Sequence, residues 1–563
     1  MNQTTTRQSG YLRRWAATLT VCLGLFLLGI DMTMLNVAVP DLQADLQPSM
    51  AQIQWIVDGY ALVLGGTVLT AGALTDRIGR RRAFVIGLAL CAGASLLGAL
   101  ARTPEQVIAA RGGMGAGAAL LMPATLSTIH NLFPEPQLRR RAIAVWTAVL
   151  GAGGLTGPVI GGWLVEHFSW RAGFWINLPI TAVTVVLAVL VVPESRGSGK
   201  PIDVPGALTS AAGLLSLVWA FIEAPTRGWT GTPVLAAFGA AGLLLAAFTA
   251  RQATARHPML PLSLLRRPSV MVGAAVLALM SFSLFGALFI TTLYLQGVLG
   301  YTPWQAGLRT LALPAGLVIG AVGTLPLAAR WGNRFPIVAG LIVATAAFAF
   351  LATTTANSAY GHLVVFQTVA GVGAGLSAAA ATETVMGATP GDQAGLGSAV
   401  NDATRQIGSA LGVALQGSLL VTIHSHRMAD HLAGTDVPAS LAQTVAHQGL
   451  MPIATTPTLP ESLREQLFAA ARESFVAGLT GTALLAGAAT LFAAVAAMFL
   501  LPSQTCRALP TAAPHAPPRG LGRSSGLCRP HRRTRNEGGR IPPDSTTAVV
   551  VSGGAQHPPE MRR

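Results

Sequence analysis

Apolar residues along this chain do not alternate or recur once per helical turn; they run together in long blocks separated by short polar connections. A helix needs about 20 consecutive apolar residues to cross ~30 Å of hydrocarbon. Fourteen blocks of about that length can be placed, over 15–39, 52–74, 83–101, 105–129, 142–165, 172–192, 204–222, 234–250, 270–296, 304–328, 335–355, 361–386, 396–423 and 475–501. Strands of a membrane barrel are about half as long, so the pattern predicts an all-α polytopic membrane protein. The first block follows arginines as in a secretion signal, but it is too long for one and many further blocks follow it. A polar stretch over 424–474 separates the last two blocks and is expected to be an outside loop, with a short amphipathic helix near Glu461 to Glu473. Residues 502–563, rich in Pro, Gly and Arg, are expected to form a disordered tail.

Charge changes this picture in one respect, orientation. The net charge of +15 would suit a nucleic-acid partner, but 10 of the 37 basic residues follow Pro502 and most others sit in the short connections. No basic helix or aromatic-basic platform accompanies them, so no nucleic-acid partner is expected. The start of the chain and the connections after even-numbered blocks hold 18 basic residues, against only Arg102, Arg171 and Arg227 in the short connections after odd-numbered ones. Basic residues stay on the cytoplasmic side, which predicts a multi-pass protein of the cell membrane with both termini inside. Cys22, Cys91, Cys506 and Cys528 form no metal-like or disulfide-like spacing. His424, His426 and His431 lack cysteine or acidic company, so no metal and no cofactor are expected.

Internal repetition sets the domain reading. Gly115-Ala116-Gly117 recurs as Gly373-Ala374-Gly375 at an offset of 258, and Arg77-x-Gly79-x-Arg81 recurs as Arg330-x-Gly332-x-Arg334 at 253. Transporters are often built from such related halves. The chain therefore divides into a cytoplasmic start (1–14), a six-helix bundle (15–193), a two-helix insert with flanking loops (194–268), a second six-helix bundle (269–501) and the tail (502–563). At the larger offset Asp31 aligns with Phe289 and Arg111 with Val369, so neither has an ionisable counterpart in the second half.

Ionisable groups within apolar blocks are costly and mark partners, polar cavities or proton relays. Asp31, in Leu28 to Pro40, is the foremost of these; it can bind, pair or carry a proton. Arg111 needs a partner of its own, and a packing ion pair is as open a role as proton transfer. Asp58 and Asn36 are candidates for the lining of a cavity, Asp58 equally for the outer interface.

Four features resemble the major facilitator superfamily, and within it the fourteen-span drug:proton antiporters, over about residues 12–501. The stretch Gly72-Ala-Leu-Thr-Asp76-Arg77-Ile-Gly79-Arg80-Arg81-Arg82 is similar to the superfamily's signature loop. That resemblance implies gating by Gly72, Asp76, Arg77, Gly79 and Arg80, with Asp76 locking the outward-facing state against a helix N-terminus near Ser398 to Asp402. The recurrence has Ala329 where Asp76 stands, so the lock is expected on one side only. Gly151-Ala-Gly153-Gly-Leu-Thr-Gly157-Pro158-Val-Ile-Gly161-Gly162 resembles the antiporter motif, although close helix packing alone would also use its glycines and proline bend. Arg111-Gly-Gly-Met114-Gly115-Ala-Gly117 is similar to the motif whose arginine is implicated in proton transfer, with Met114 where most relatives place Gln. The opening stretch around Asp31, Trp170-Arg171-Ala-Gly-Phe-Trp-Ile-Asn177-Leu-Pro179, and Gly395 to Gly408 with Asp402 and Arg405 together resemble the fourteen-span branch. The implied activity is efflux of hydrophobic or cationic small molecules, driven by a proton gradient with substrate and proton competing. Export of one endogenous metabolite is the alternative. The expected partners are substrate, protons and the bilayer, and the expected state is a monomer.

Overall fold

Hydrocarbon offers no hydrogen-bond partners, so each apolar block must satisfy its backbone within itself and folds as helix. The computed structural model describes residues 2–197, 203–256, 258–260, 262–389, 394–432 and 461–501, and fourteen of its helical spans are long and apolar enough to cross a membrane. The first half holds α1 (Asn2–Leu46), α2 (Met50–Ile78), α3 (Arg80–Ala99), α4 (Pro104–Leu132), α5 (Pro136–His167), the short α6 (Ala172–Trp175) and α7 (Asn177–Val191). Two helices follow, α8 (Val204–Arg227) and α9 (Thr232–Thr254), then the short α10 (Leu262–Leu265). The second half holds α11 (Pro268–Leu293), α12 (Pro303–Arg309), α13 (Ala312–Trp331), α14 (Arg334–Leu351), α15 (Tyr360–Ala388), α16 (Ala394–Leu432) and α17 (Glu461–Leu500).

Three expectations need correction. The sixth and tenth blocks each form two helices in tandem, α6 with α7 and α12 with α13. The described parts of 424–474 are helical, because α16 runs on to Leu432 and α17 already starts at Glu461. A helix closes its own backbone bonds and can continue past the hydrocarbon once its side chains are solvated. The separate amphipathic helix is thus the first turns of α17; residues 433–460 and the tail 502–563 lie outside the described residues.

Two apolar cores form, one among α1–α5, α6 and α7, the other among α11, α14, α15, α16 and α17. A smaller cluster joins Ala61 and Leu62 of α2, Leu214, Val218 and Ile222 of α8, and Ala410 and Ala414 of α16. The inserted α8 therefore flanks the line where the halves meet, and α9 packs on its outer side through Ala220, Ala224 and Val234.

Close helix contacts also give the true register of the repeat. Gly115 of α4 abuts the Tyr60 carbonyl and Gly117 the Gly87 carbonyl; in the second half the same places are taken by Gly371, against Leu313, and Gly373, against Gly340. Helix α15 thus follows α4 at an offset of 256, not 258. Gly153 and Gly157 of α5 abut the Phe26 and Ile30 carbonyls of α1, as Gly408 and Gly412 of α16 abut those of Ala278 and Phe282 in α11. That sets α11 at 252 from α1. The counterparts of Asp31 and Arg111 are therefore Ser283 and Gln367, both buried, rather than Phe289 and Val369. The run of glycines at 371, 373 and 375 permits two alignments, and only the packing chooses between them. The inference that the second half lacks ionisable counterparts survives the shift.

A Cβ at Gly153 would lie 2.5 Å from the Phe26 carbonyl oxygen, while one at Gly151 meets nothing within 4 Å. Gly153→Ala is expected to destabilise the fold by about 1–3 kcal/mol through overpacking. Gly151→Ala should be neutral or stabilising by up to ~1 kcal/mol from helix propensity. Thermal unfolding of the purified protein in detergent checks both, and equal behaviour of the two variants would contradict the α1–α5 contact.

Candidate functional site

Asp31 lies in the interior of the first bundle, 2% exposed, and Arg111 beside it is 3% exposed. Their helices, α1 and α4, are brought together by the glycines that let α4 close on α2 and α3. Asn177, at the first turn of α7, donates from Nδ2 to Asp31 Oδ1 at 2.8 Å and to Ser95 Oγ at 3.0 Å. Ser95 passes its own hydroxyl to the Phe174 carbonyl at 2.9 Å. Asp31 Oδ2 is buried and, among the described residues, has no hydrogen-bond partner.

Arg111 interacts electrostatically with Asp31 but directs its N–H groups at backbone. Nε donates to the Ile56 carbonyl at 3.1 Å, a terminal nitrogen reaches the Asp31 carbonyl at 3.5 Å, and the guanidinium sits 4.6 Å from the centre of the Tyr60 ring. One cation thus ties α4 to both α1 and α2. A carboxyl and a guanidinium in a site this dry can exchange a proton or hold helices together, and removing either charge leaves the other uncompensated. A small cavity adjoins them, lined by Met34, Leu35 and Ala38 of α1, Gly161 and Val165 of α5, and Met114 of α4. Of the roles the sequence leaves open to Asp31, the structure shows pairing: Asn177 and Arg111, its neighbours here, both lie inside the first bundle. Sequence reasoning missed the role of Asn177, whose signal was a second strongly polar residue in an apolar block.

Asn36 and Asp58 lie elsewhere. Met32 of α1 touches Gln406 of α16, Asn36 stands one turn further on the same face of α1, and the Val37 carbonyl accepts from Gln296 of the second half at 3.0 Å. Asp58 is buried on α2 one turn from Gln54, which packs on Gly417 of α16. Both belong to the seam between the halves.

The antiporter-like glycines divide between two partners. Gly153, Gly157 and Gly161 face α1, whereas Gly162 meets Pro303 of α12 and the Pro158 carbonyl meets Gly307. Glu166 Oε2 accepts from the Trp304 amide at 3.1 Å just beyond. These contacts close the seam at the end that carries the α1–α2 and α5–α6 connections. At the opposite end Gly79 turns the chain with φ of 109°, a region that favours glycine. Gly72 lies beside Pro123, and Arg77 is exposed. Asp76, 40% exposed, pairs with Arg80 at 3.3 Å and accepts at its backbone carbonyl from Gly197 N at 2.9 Å. Among the described residues it makes no hydrogen bond or ion pair with Ser398 to Asp402; Asp402 is half-buried and Arg405 exposed on α16. Glu194, which sequence reasoning passed over, accepts from the Arg81 amide at 3.2 Å and lies within 3.9 Å of the Arg81 and 3.8 Å of the Arg82 side chains. A carboxylate there suits the N-terminus of α3.

Residues 21–413 match the family model described as Major Facilitator Superfamily. The chain belongs to that superfamily. It is 32% identical over 495 residues to the tetracenomycin C resistance and export protein of Streptomyces glaucescens, covering 86% of this chain and 91% of the relative. It is 35% identical over 408 residues to the methylenomycin A resistance protein of Streptomyces coelicolor, covering 72% and 85%. The multidrug efflux pump LfrA of Mycolicibacterium smegmatis is 32% identical over 487 residues, covering 86% and 95%. Among solved structures, a bacterial homolog of the human lysosomal transporter Spinster, inward-facing and unoccupied, superposes with a TM-score of 0.59 at 17% identity, covering 88% of this chain and 99% of that one. That last likeness concerns the fold. The protein is thus a multi-pass membrane protein of a transporter superfamily.

Asn177→Ala leaves Asp31 Oδ1 without its donor and is expected to lower stability by about 1–3 kcal/mol. Exchanging the pair, Asp31→Asn with Asn177→Asp, keeps a donor opposite an acceptor and should recover most of that loss in thermal unfolding. A full-strength Asn177→Ala protein would rule out the hydrogen bond as a structural element.

Proposed function

We propose that this protein exports hydrophobic or cationic small molecules of the drug and antibiotic type, exchanging them for protons by alternating access. The observation that carries the reading is Asp31, a dry carboxyl with one unpartnered oxygen beside Arg111, in a superfamily member whose relatives are named for antibiotic resistance and export. Ser283 and Gln367 at the equivalent places make the second half unable to titrate there, so coupling is one-sided. A proton on Asp31 removes the negative charge that Arg111 and Asn177 face, and so alters the attachment of α1 to α4 and α7. Helix α1 is locked to α5 through Gly153, Gly157 and Gly161 and through Thr33 Oγ1, which donates to the Gly154 carbonyl at 3.1 Å. Helix α5 in turn holds α12 of the other half. A change at Asp31 therefore has a short mechanical route to the seam. One charge moving across the membrane supplies ~2.3 kcal/mol per 100 mV.

With both termini cytoplasmic, the end closed by α5 against α12 is the outer one. Asp76, paired with Arg80 and, among the described residues, not with α16, stands as expected when its lock on α16 is released. A second reading, export of a single endogenous product, draws on the same relatives, one of which is named for export of tetracenomycin C. Substrate would enter between the halves, along a seam that carries Met32, Asn36, Asp58 and Gln406.

Proton-coupled uptake into inverted vesicles, measured over a compound panel, tests the main reading. Asp31→Asn should lower pH-driven transport at least about tenfold; undiminished coupling would refute the role of Asp31, and transport of a single natural product with no response to the panel would favour the second reading. Asp76→Asn should enrich the inward-facing state, seen as faster labelling of inner-face seam cysteines and slower labelling of outer-face ones. Unchanged labelling on both faces would remove Asp76 as a lock.

A further inference from the structure

Asp31 does not open onto the seam. Met32, Val37 and Val39 of α1 meet the second half, whereas Asp31 turns to Asn177 and, through it, Ser95. The charged and titratable groups that bear on it, Arg111 of α4, Tyr60 of α2 and Cys91 of α3, all lie inside the same bundle. The cavity beside it lies within the first bundle. Its walls include Met34, Leu35 and Ala38 of α1, Gly161 and Val165 of α5, and Trp170. Seven residues of helix between Asp31 and Ala38 span about 10 Å, directed toward the outer end.

Trp170 closes this passage and is strapped in place. It is 1% exposed. Its amide donates to Asp41 Oδ2 at 3.0 Å and its indole Nε1 to Asp45 Oδ2 at 2.9 Å. Arg171 pairs with the same Asp45 oxygen at 2.6 Å, lays its guanidinium 4.3 Å from the indole centre and donates to the Ala101 carbonyl at 3.0 Å. Asp45 is 45% exposed at its side chain. From the surface inward there follow two carboxylates, an indole lid, a narrow cavity and the unpartnered oxygen of Asp31.

We propose that protons from the outer side reach Asp31 through the interior of the first bundle, past Trp170, by a passage separate from the seam that substrate uses. The inference rests on the reading of Asp31 as the coupling carboxyl. In the step itself a hydronium of the outer medium passes a proton to the water below the lid, and that water gives one of its own to Asp31 Oδ2, so the O–H bond formed on the carboxylate is matched by the one broken on hydronium and only water remains. The cavity is small, so it holds water at most singly, with Asp31 and Arg111 as its polar partners, and excludes a drug-sized molecule. Proton and substrate then have separate passages, and the exchange between them is conformational. Trp170 is a positioning residue in this scheme, controlling access and not itself titrating.

The full chain, with its four cysteines replaced by alanine, carries either Ala38→Cys in the passage or Asn36→Cys on the seam, and a membrane-impermeant thiol reagent is added outside. Trp170→Ala should speed labelling of the passage cysteine about tenfold, the scale of the one charge-assisted hydrogen bond lost from the indole to Asp45, and leave the seam cysteine unchanged. Trp170→Phe, which keeps bulk but loses the indole donor, and the milder Asp45→Asn should give smaller increases, and they serve should Trp170→Ala fail to fold. In proteoliposomes Trp170→Ala should also leak protons without substrate, and adding Asp31→Asn should stop the leak. Equal acceleration of both cysteines, or no response at Ala38→Cys, would overturn the passage. Should Asp31→Asn leave coupling intact while the lid variants still open the passage, it is the coupling role of Asp31 that fails.

Discussion

The architecture depends on one helix having small residues on two faces. Along α5, Gly153, Gly157 and Gly161 let α1 approach to backbone distance, and one step around the helix Pro158 and Gly162 do the same for α12. Without side chains to separate them, three helices from two halves share one contact line, held by dispersion and the Thr33 hydrogen bond instead of by a hydrophobic effect that lipid does not supply. Whatever shifts α1 shifts α5, and whatever shifts α5 works on the seam.

That linkage gives meaning to the placement of Asp31. A carboxyl inside the first bundle meets groups of that bundle, so its charge bears on how α1, α4 and α7 sit together. Arg111, which spends its donors on the Ile56 and Asp31 carbonyls, makes the local charge balance a matter of how α1, α2 and α4 sit together. The two halves share a backbone plan, yet Ser283 bonds to the Leu279 and Ala486 carbonyls where Asp31 faces Asn177. The second half is packed as a structural counterpart, and at these two positions only the first half carries ionisable groups.

The two ends of the molecule differ in chemistry. At the end that carries the α1–α2 connection the seam is mainly backbone against small residues, with Glu166 on the Trp304 amide. At the end that carries the α2–α3 connection the groups are charged: Asp76 with Arg80, and Glu194 beside Arg81 and Arg82. Ion pairs at a solvated loop re-form easily, whereas glycine contacts tolerate no added side chain.

By itself the sequence determined the number of membrane spans, because a block of apolar residues long enough to span hydrocarbon has only one way to satisfy its backbone. It also singled out Asp31, Arg111 and the glycines of α5, since a charge or a glycine row in such a block is unusual whatever surrounds it. Tertiary structure alone decided which way each of these faces. That Asn177 meets Asp31 across 146 positions, that the second-half counterparts are Ser283 and Gln367, that Asn36 and Asp58 lie on the seam while Asp31 does not, and that Trp170 is strapped by Asp41 and Asp45 all depend on the rotation of one helix against another. A shift of two residues turns a helix by more than half a revolution, so local pattern names the polar residues but not their partners.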